Sequence, residues 1–182
     1  MQRIPCRWRH AALWLLALAF AIDGRAQTPL TESQAKASAL FNFARYVEWP
    51  ERAFASRDAA FVFCVAGRDS LSAATAQLEG RVLNGRNTQL RRVLGVEELH
   101  GCHALYIAEA EERRLLPMLR AVAAEPVLTV GDLAGFVEAG GAIGIVLDDA
   151  RIRFDINRSA LEQAQLRASS NLLRLARNTR QP

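Results

Sequence analysis

Hydrophobic and polar positions along this chain change period several times, and the changes mark out its elements. After a short basic start, Ala11 to Ile22 is unbroken apolar sequence. Beyond it, Ala39, Leu40, Phe43 and Val47 recur at spacings of three and four, which predicts a helix. Thr31 with Gln34 forms a capping box at its start, and Pro50 ends it. Ala60 to Val65 is continuously apolar, as in a strand covered on both faces. Gly67 and Asp69 lead into a second helix through Leu71, Ala74 and Leu78, closed by Gly80. Thr88 to Leu94 and Cys102 to Ala108 read as strands.

Glu111 to Ala124 carries Leu115, Leu116, Leu119 and Val122 on one helical stripe, and Pro126 stops it. Val127 to Val130 is a short strand, and Asp132 caps a predicted helix that runs to Gly140 and Gly141. Ala142 to Leu147 is another strand. Asp148 and Asp149 then turn the chain into Arg151–Ile156, whose strict alternation predicts a hairpin partner with one exposed face. A final helix is expected from a capping box at Ser159 and Glu162, with Leu161, Ala164, Ala168, Leu172 and Leu175 on its stripe. Strands alternating with helices make this an α/β protein. The expected architecture is a largely parallel sheet flanked by helices on both faces, with a C-terminal antiparallel hairpin and a closing helix.

The first apolar run changes how composition is read. Arg3, Arg7 and Arg9 precede it, Gly24 and Ala26 follow it, and it is shorter than the roughly 20 residues that span a bilayer. Residues 1–26 are therefore expected to be a cleaved signal peptide, cut before Gln27, leaving residues 27–182 as a single domain of the periplasm. The leader holds four arginines against Asp23. The remainder has 19 basic and 18 acidic residues, a net charge of +1. The apparent basicity of the whole chain thus belongs mostly to the leader, and nucleic acid is not an expected partner.

Two cysteines remain after the leader, Cys64 and Cys102. An even count in an exported chain argues for a disulfide, and both residues lie on strand-like segments. Two buried thiols are the other reading. His100-Gly101-Cys102-His103 invites a metal site, but adjacent strand residues point to opposite faces and no second ligand cluster exists in the sequence. No Gly-x-Ser-x-Gly elbow is present. Gly140, Gly141 and Gly144 lie between a helix and a strand, the reverse of a phosphate-binding turn, and fit close backbone approach instead. The expectation is a non-enzyme with no cofactor. Candidate partner-binding residues are Arg45, Tyr46, Glu48 and Trp49, a cluster of the types that dominate interfaces. Arg151, Arg153 and Asp155, on one face of the hairpin strand, complete the set. Trp49 is equally suited to cap the core.

Several segments, taken together and in order, resemble the YfiR family of periplasmic proteins. They are Lys36–Pro50, Cys102–Ile107, Val127–Asp132, Gly140–Ile143 and Arg153–Asn157, followed by Ser169-Ser170-Asn171-Leu172-Leu173. The resemblance implies a repressor that binds the periplasmic sensor domain of a membrane diguanylate cyclase, lowering cyclic-di-GMP and biofilm formation. It further implies an outer-membrane lipoprotein that sequesters the repressor, and a homodimer. It pairs Cys64 with Cys102; the family's second cysteine pair is absent. The alternative, from the α/β architecture alone, is a periplasmic small-molecule-binding module with its ligand at the carboxyl ends of the strands.

Overall fold

A computed structural model describes residues 31–67, 74–149 and 151–180. The predicted signal peptide and its cleavage site lie outside the described residues, as does the stretch around Leu71. The described residues open with α1 (Glu32–Arg45), capped as expected: the Thr31 hydroxyl accepts the Gln34 N–H and the Gln34 side chain accepts the Thr31 N–H. Then follow β1 (Val47–Glu48), β2 (Phe61–Ala66), β3 (Val82–Leu83), β4 (Arg86–Val93) and β5 (Ala104–Ile107). The chain continues with α2 (Leu115–Val122), β6 (Leu128–Gly131), β7 (Ile143–Asp148) and β8 (Arg151–Asn157). It ends with α3 (Arg158–Gln163), β9 (Arg167–Ala168), α4 (Ser170–Leu175) and β10 (Asn178–Arg180).

Eight strands form one sheet in the order β10-β8-β7-β6-β5-β2-β4-β3. The five central strands from β7 to β4 are mutually parallel, and β7–β8 is an antiparallel hairpin. Both faces are covered, which is why the central strands are apolar throughout rather than alternating. Phe61, Phe63, Val65, Ala104 and Tyr106 pack on one face with α1, α3 and α4. Cys64, Ala66, Leu105 and Ile107 pack on the other with α2 and the segment after β6. The expected fold class is the one observed.

Two local expectations are corrected. Residues after Asp132 form turns, not a helix, because Gly135 and Gly140 adopt φ of +72° and +106°. This segment instead drives Phe136 onto the sheet. A Cβ on Gly131 or Gly141 would lie 2.4 or 2.1 Å from its ring, so the two glycines admit a buried aromatic side chain directly against backbone. Second, the final helix is two short ones. Gln165 at φ +57° breaks it, Leu166 plugs the core, and β9 pairs with β1 before Ser169 caps α4. Asn157, not Ser159, caps α3, and Leu175 is 69 % exposed rather than on the buried stripe. Most of the predicted second helix lies outside the described residues; its described end is helical at Ala74 and closes in the 3-10 turn Thr75–Leu78. Four strands go beyond expectation: the β1–β9 pair, β10, and β3, which is joined to β4 through Asn84-Gly85, both at positive φ as a two-residue hairpin requires.

Candidate functional site

Helix α1 runs antiparallel to the strands. Near its start, Lys36 Nζ lies 2.7 Å from both Asp132 Oδ2, at the carboxyl end of β6, and Glu32 Oε1. Burial alone would push the Lys36 ammonium down, but the two carboxylates outweigh it and hold the group above its ordinary value. The far end of α1 therefore delivers Arg45, Tyr46, Glu48 and Trp49 to the edge where β2 and β5 begin. Arg45 and Glu48 are exposed, and Tyr46 is 40 % exposed. The Tyr46 carbonyl accepts the Ser169 N–H at 2.9 Å, and Glu48 sits opposite Arg167 in the β1–β9 pair. The end of α1 is thus fixed to the C-terminal helices.

Trp49 is half-buried and does two things at once. Its ring meets Phe61 edge-on at 4.9 Å, and its indole N–H donates to the His103 carbonyl at 3.2 Å. His103 is the hub of this corner. Val62 N–H donates to Nδ1 at 3.0 Å, so Nε2 carries the proton and donates it to the Ala53 carbonyl, also at 3.0 Å. The ring stacks on Phe54 at 4.5 Å. Burial pushes the His103 pKa below its ordinary value. The bond to Ala53 opposes that shift, and Arg86 and Arg91 add to it. The geometry describes a neutral histidine locked in one tautomer by backbone groups. Arg86 stacks over Phe54 and donates to the carbonyls of Ser56, Arg57 and Ala59, fixing the loop that carries Phe54.

One residue earlier, Cys102 is bonded to Cys64, the Cα atoms 5.7 Å apart. Arg91 lies over the bridge, its Nη2 3.2 Å from Cys102 Sγ and 2.6 Å from the His100 carbonyl. His100 points out to Glu125 at 2.9 Å. The His-Gly-Cys-His run therefore spends its three donor groups on three separate tasks. Among the described residues no group of three metal-binding side chains converges.

The second set of sequence candidates lies elsewhere. Arg151 pairs with Asp148 across the hairpin, at the opposite end of the sheet from Trp49, and Arg151 and Arg153 are exposed. Asp155 shares their face but is bound by Arg177, at 2.6 and 3.1 Å, and by Asn178. Arg177 holds the Asp155 carboxyl below its usual value. The seven candidates form two surfaces, not one. Sequence reasoning missed Phe54, Arg86 and Lys36, and weighed His103 only as a metal ligand. The only signal for His103 was its neighbour Cys102, because its partners are backbone atoms.

The described residues contain no helix long and apolar enough to cross a membrane. A family model described as YfiR/HmsC-like matches residues 33–177. Among solved structures, a conserved domain protein from Vibrio cholerae O1 biovar El Tor is similar in fold, with a TM-score of 0.54 and 12 % sequence identity. The similarity covers 83 % of this chain and 61 % of that one, so the chain spans less than two thirds of that protein's length.

Proposed function

The chain belongs to the YfiR/HmsC-like family, and from that premise we propose that it is a periplasmic regulator of diguanylate cyclase signalling that works by binding, not catalysis. Exported by residues 1–26, it binds the periplasmic sensor domain of a membrane diguanylate cyclase and holds the enzyme inactive. An outer-membrane lipoprotein sequesters it and relieves the repression, and a homodimer is its smallest assembly. The observation that carries the reading is the extent of the family match, from α1 to Arg177. A repressor of this kind needs only to bind one state of its partner more tightly than the other. We assign the contact to the exposed end of α1, with Arg45, Tyr46, Glu48 and the outer edge of Trp49. Arg151 and Arg153 form a second, separate contact beside Asp155.

Deleting the gene raises cyclic-di-GMP in a strain whose membrane cyclase has a periplasmic domain, and does nothing where that cyclase is removed. An unchanged level in the first strain rejects the function. Capture of the exported protein by the immobilised sensor domain tests the surface: Tyr46→Ala and Arg45→Glu weaken it, and full capture by both would move the contact elsewhere.

A second reading, a small-molecule-binding module, is favoured by one observation. A groove of about 410 Å³ lies under the segment after β6, lined by Phe136, Gly144, Asp155 and Arg177. A metabolite that raises the melting temperature supports this reading.

A further inference from the structure

Two aromatic rings of this protein carry a guanidinium of the chain itself. Arg81 lies over Phe41 at 3.8 Å, and Arg86 lies over Phe54 at 3.7 Å. Indole attracts a cation more strongly than a phenyl ring does. Yet among the described residues no arginine or lysine lies over Trp49. The ring is already held in place, by its N–H on the His103 carbonyl and by its edge contact with Phe61. A cation that stacks on it meets a surface with little freedom left to lose.

Trp49 and Glu51 line one side of a groove of about 640 Å³, and Glu162, Gln165 and Arg167 line the other. Buried Leu166 lies between them. The β1–β9 pair joins the two sides, and Arg52 ties them again by donating from Nε to the Gln165 side chain at 2.9 Å. Glu48 also lines the groove. Glu48, Glu51 and Glu162 are exposed, and none has an arginine or lysine partner among the described residues. Arg167 is set against these three carboxylates, which leaves the lining at a net −2.

We propose that the groove receives one arginine side chain of a partner protein, its guanidinium stacked on Trp49 and bonded to Glu51 and Glu162. The methylene stem then lies along Leu166. The carboxylates do not converge as metal ligands do. Spread around an apolar floor, they suit a wide, planar cation instead. Guanidinium fits better than ammonium, because it is weakly hydrated, stacks on aromatic faces and presents its donors in a plane. Arginine and tryptophan are also the side chains on which binding energy concentrates at interfaces. The inference rests on the reading above only in making the cyclase sensor domain the partner; it names the group that the end of α1 contacts.

The exported protein, cut before Gln27, has Trp49 as its single tryptophan, so fluorescence reports on this groove alone. Acetyl-arginine amide changes the Trp49 emission and saturates. Acetyl-citrulline amide, its neutral counterpart, leaves the emission unchanged at the same concentrations. Glu51→Gln combined with Glu162→Gln, both at exposed positions, weakens the arginine titration about fivefold. An equal response to the two compounds overturns the proposal, and so does a response to neither. Capture by the sensor domain supplies the second arm. One arginine of that domain, replaced by alanine, weakens capture of the wild-type protein about tenfold and capture of the double variant far less. If no arginine of the domain is coupled to Glu51 and Glu162, the proposal falls while the cyclic-di-GMP result of the deletion stands. If the deletion leaves cyclic-di-GMP unchanged, repression falls, and the two titrations still decide whether the groove holds a guanidinium.

Discussion

Cys102 and His103 are neighbours that tie the start of β5 to β2 by opposite means. Cys102 reaches Cys64 on the face covered by α2, a covalent link that does not depend on pH. His103 turns towards Phe54 and Phe61 and holds Val62 and Ala53 through hydrogen bonds that need one tautomer of a neutral ring. A redox change attacks the first tether alone, and acid attacks the second. The corner is thus held twice without redundancy, because each tether fails under conditions the other survives.

Removing the covalent tether has the largest effect. A bridge between residues 38 apart is worth about 4 kcal/mol in the chain-entropy model. Cys64→Ala with Cys102→Ala therefore lowers the urea midpoint by that equivalent, with the slope rising as the unfolded chain loosens. A smaller loss than that of the histidine variant would invert the ranking of the two tethers. His103→Ala comes next, at about 3 kcal/mol, because it strands the Val62 N–H and removes a stacked ring. Chemical denaturation at pH 8 measures it without interference from protonation.

The two tethers also differ in how far sequence announces them. Cys64 and Cys102 were legible: an even cysteine count and two strand-like segments point to each other. The sheet was legible too, because central strands buried on both faces lose the polar alternation that would confuse them with edges. His103 was not, since Val62 N–H and Ala53 C=O are present at every residue and have no sequence signature. The segment after Asp132 misled for a related reason. Its spacing fits a helix, and only the positive φ of Gly135 and Gly140, together with the Phe136 ring against Gly131 and Gly141, shows why it turns instead. Asn84-Gly85 was readable as a hairpin turn. Arg45, Tyr46 and Glu48 are exposed and Trp49 is half-buried, and their separation from Arg151 and Arg153 depends on strand direction, which side-chain types do not encode.

Acid sharpens the contrast. The His103 pKa is lowered on folding, so the unfolded chain takes up the proton first as pH falls. Its stabilising effect is complete above the ordinary value of 6.5. It is lost as pH drops from there towards the lowered folded value, with a slope of at most about 1.4 kcal/mol per pH unit. Wild type and the cysteine-free variant share this loss between pH 6.5 and the folded value, whereas His103→Ala shows none of it. Equal slopes in all three would mean that another group titrates there. Asp155 acts in a lower window, below 3.8, where protonation ends its bond to Arg177.

The smallest effect is the most informative about the surface. Trp49 belongs to the His103 tether through its indole N–H and to the outer face through its exposed edge. Trp49→Phe keeps an aromatic ring against Phe61 and deletes only the donor to the His103 carbonyl, so stability falls by about 1 kcal/mol. If the indole serves the fold alone, capture by the cyclase sensor domain is unchanged. If Trp49 contacts the partner, as the assignment of this end of α1 requires, affinity drops by more than the stability change can explain, since the variant remains almost wholly folded. A calorimetric titration beside a thermal melt separates the two. Unchanged affinity would confine the partner surface to Arg45, Tyr46 and Glu48 and leave Trp49 as the inner wall of the histidine corner.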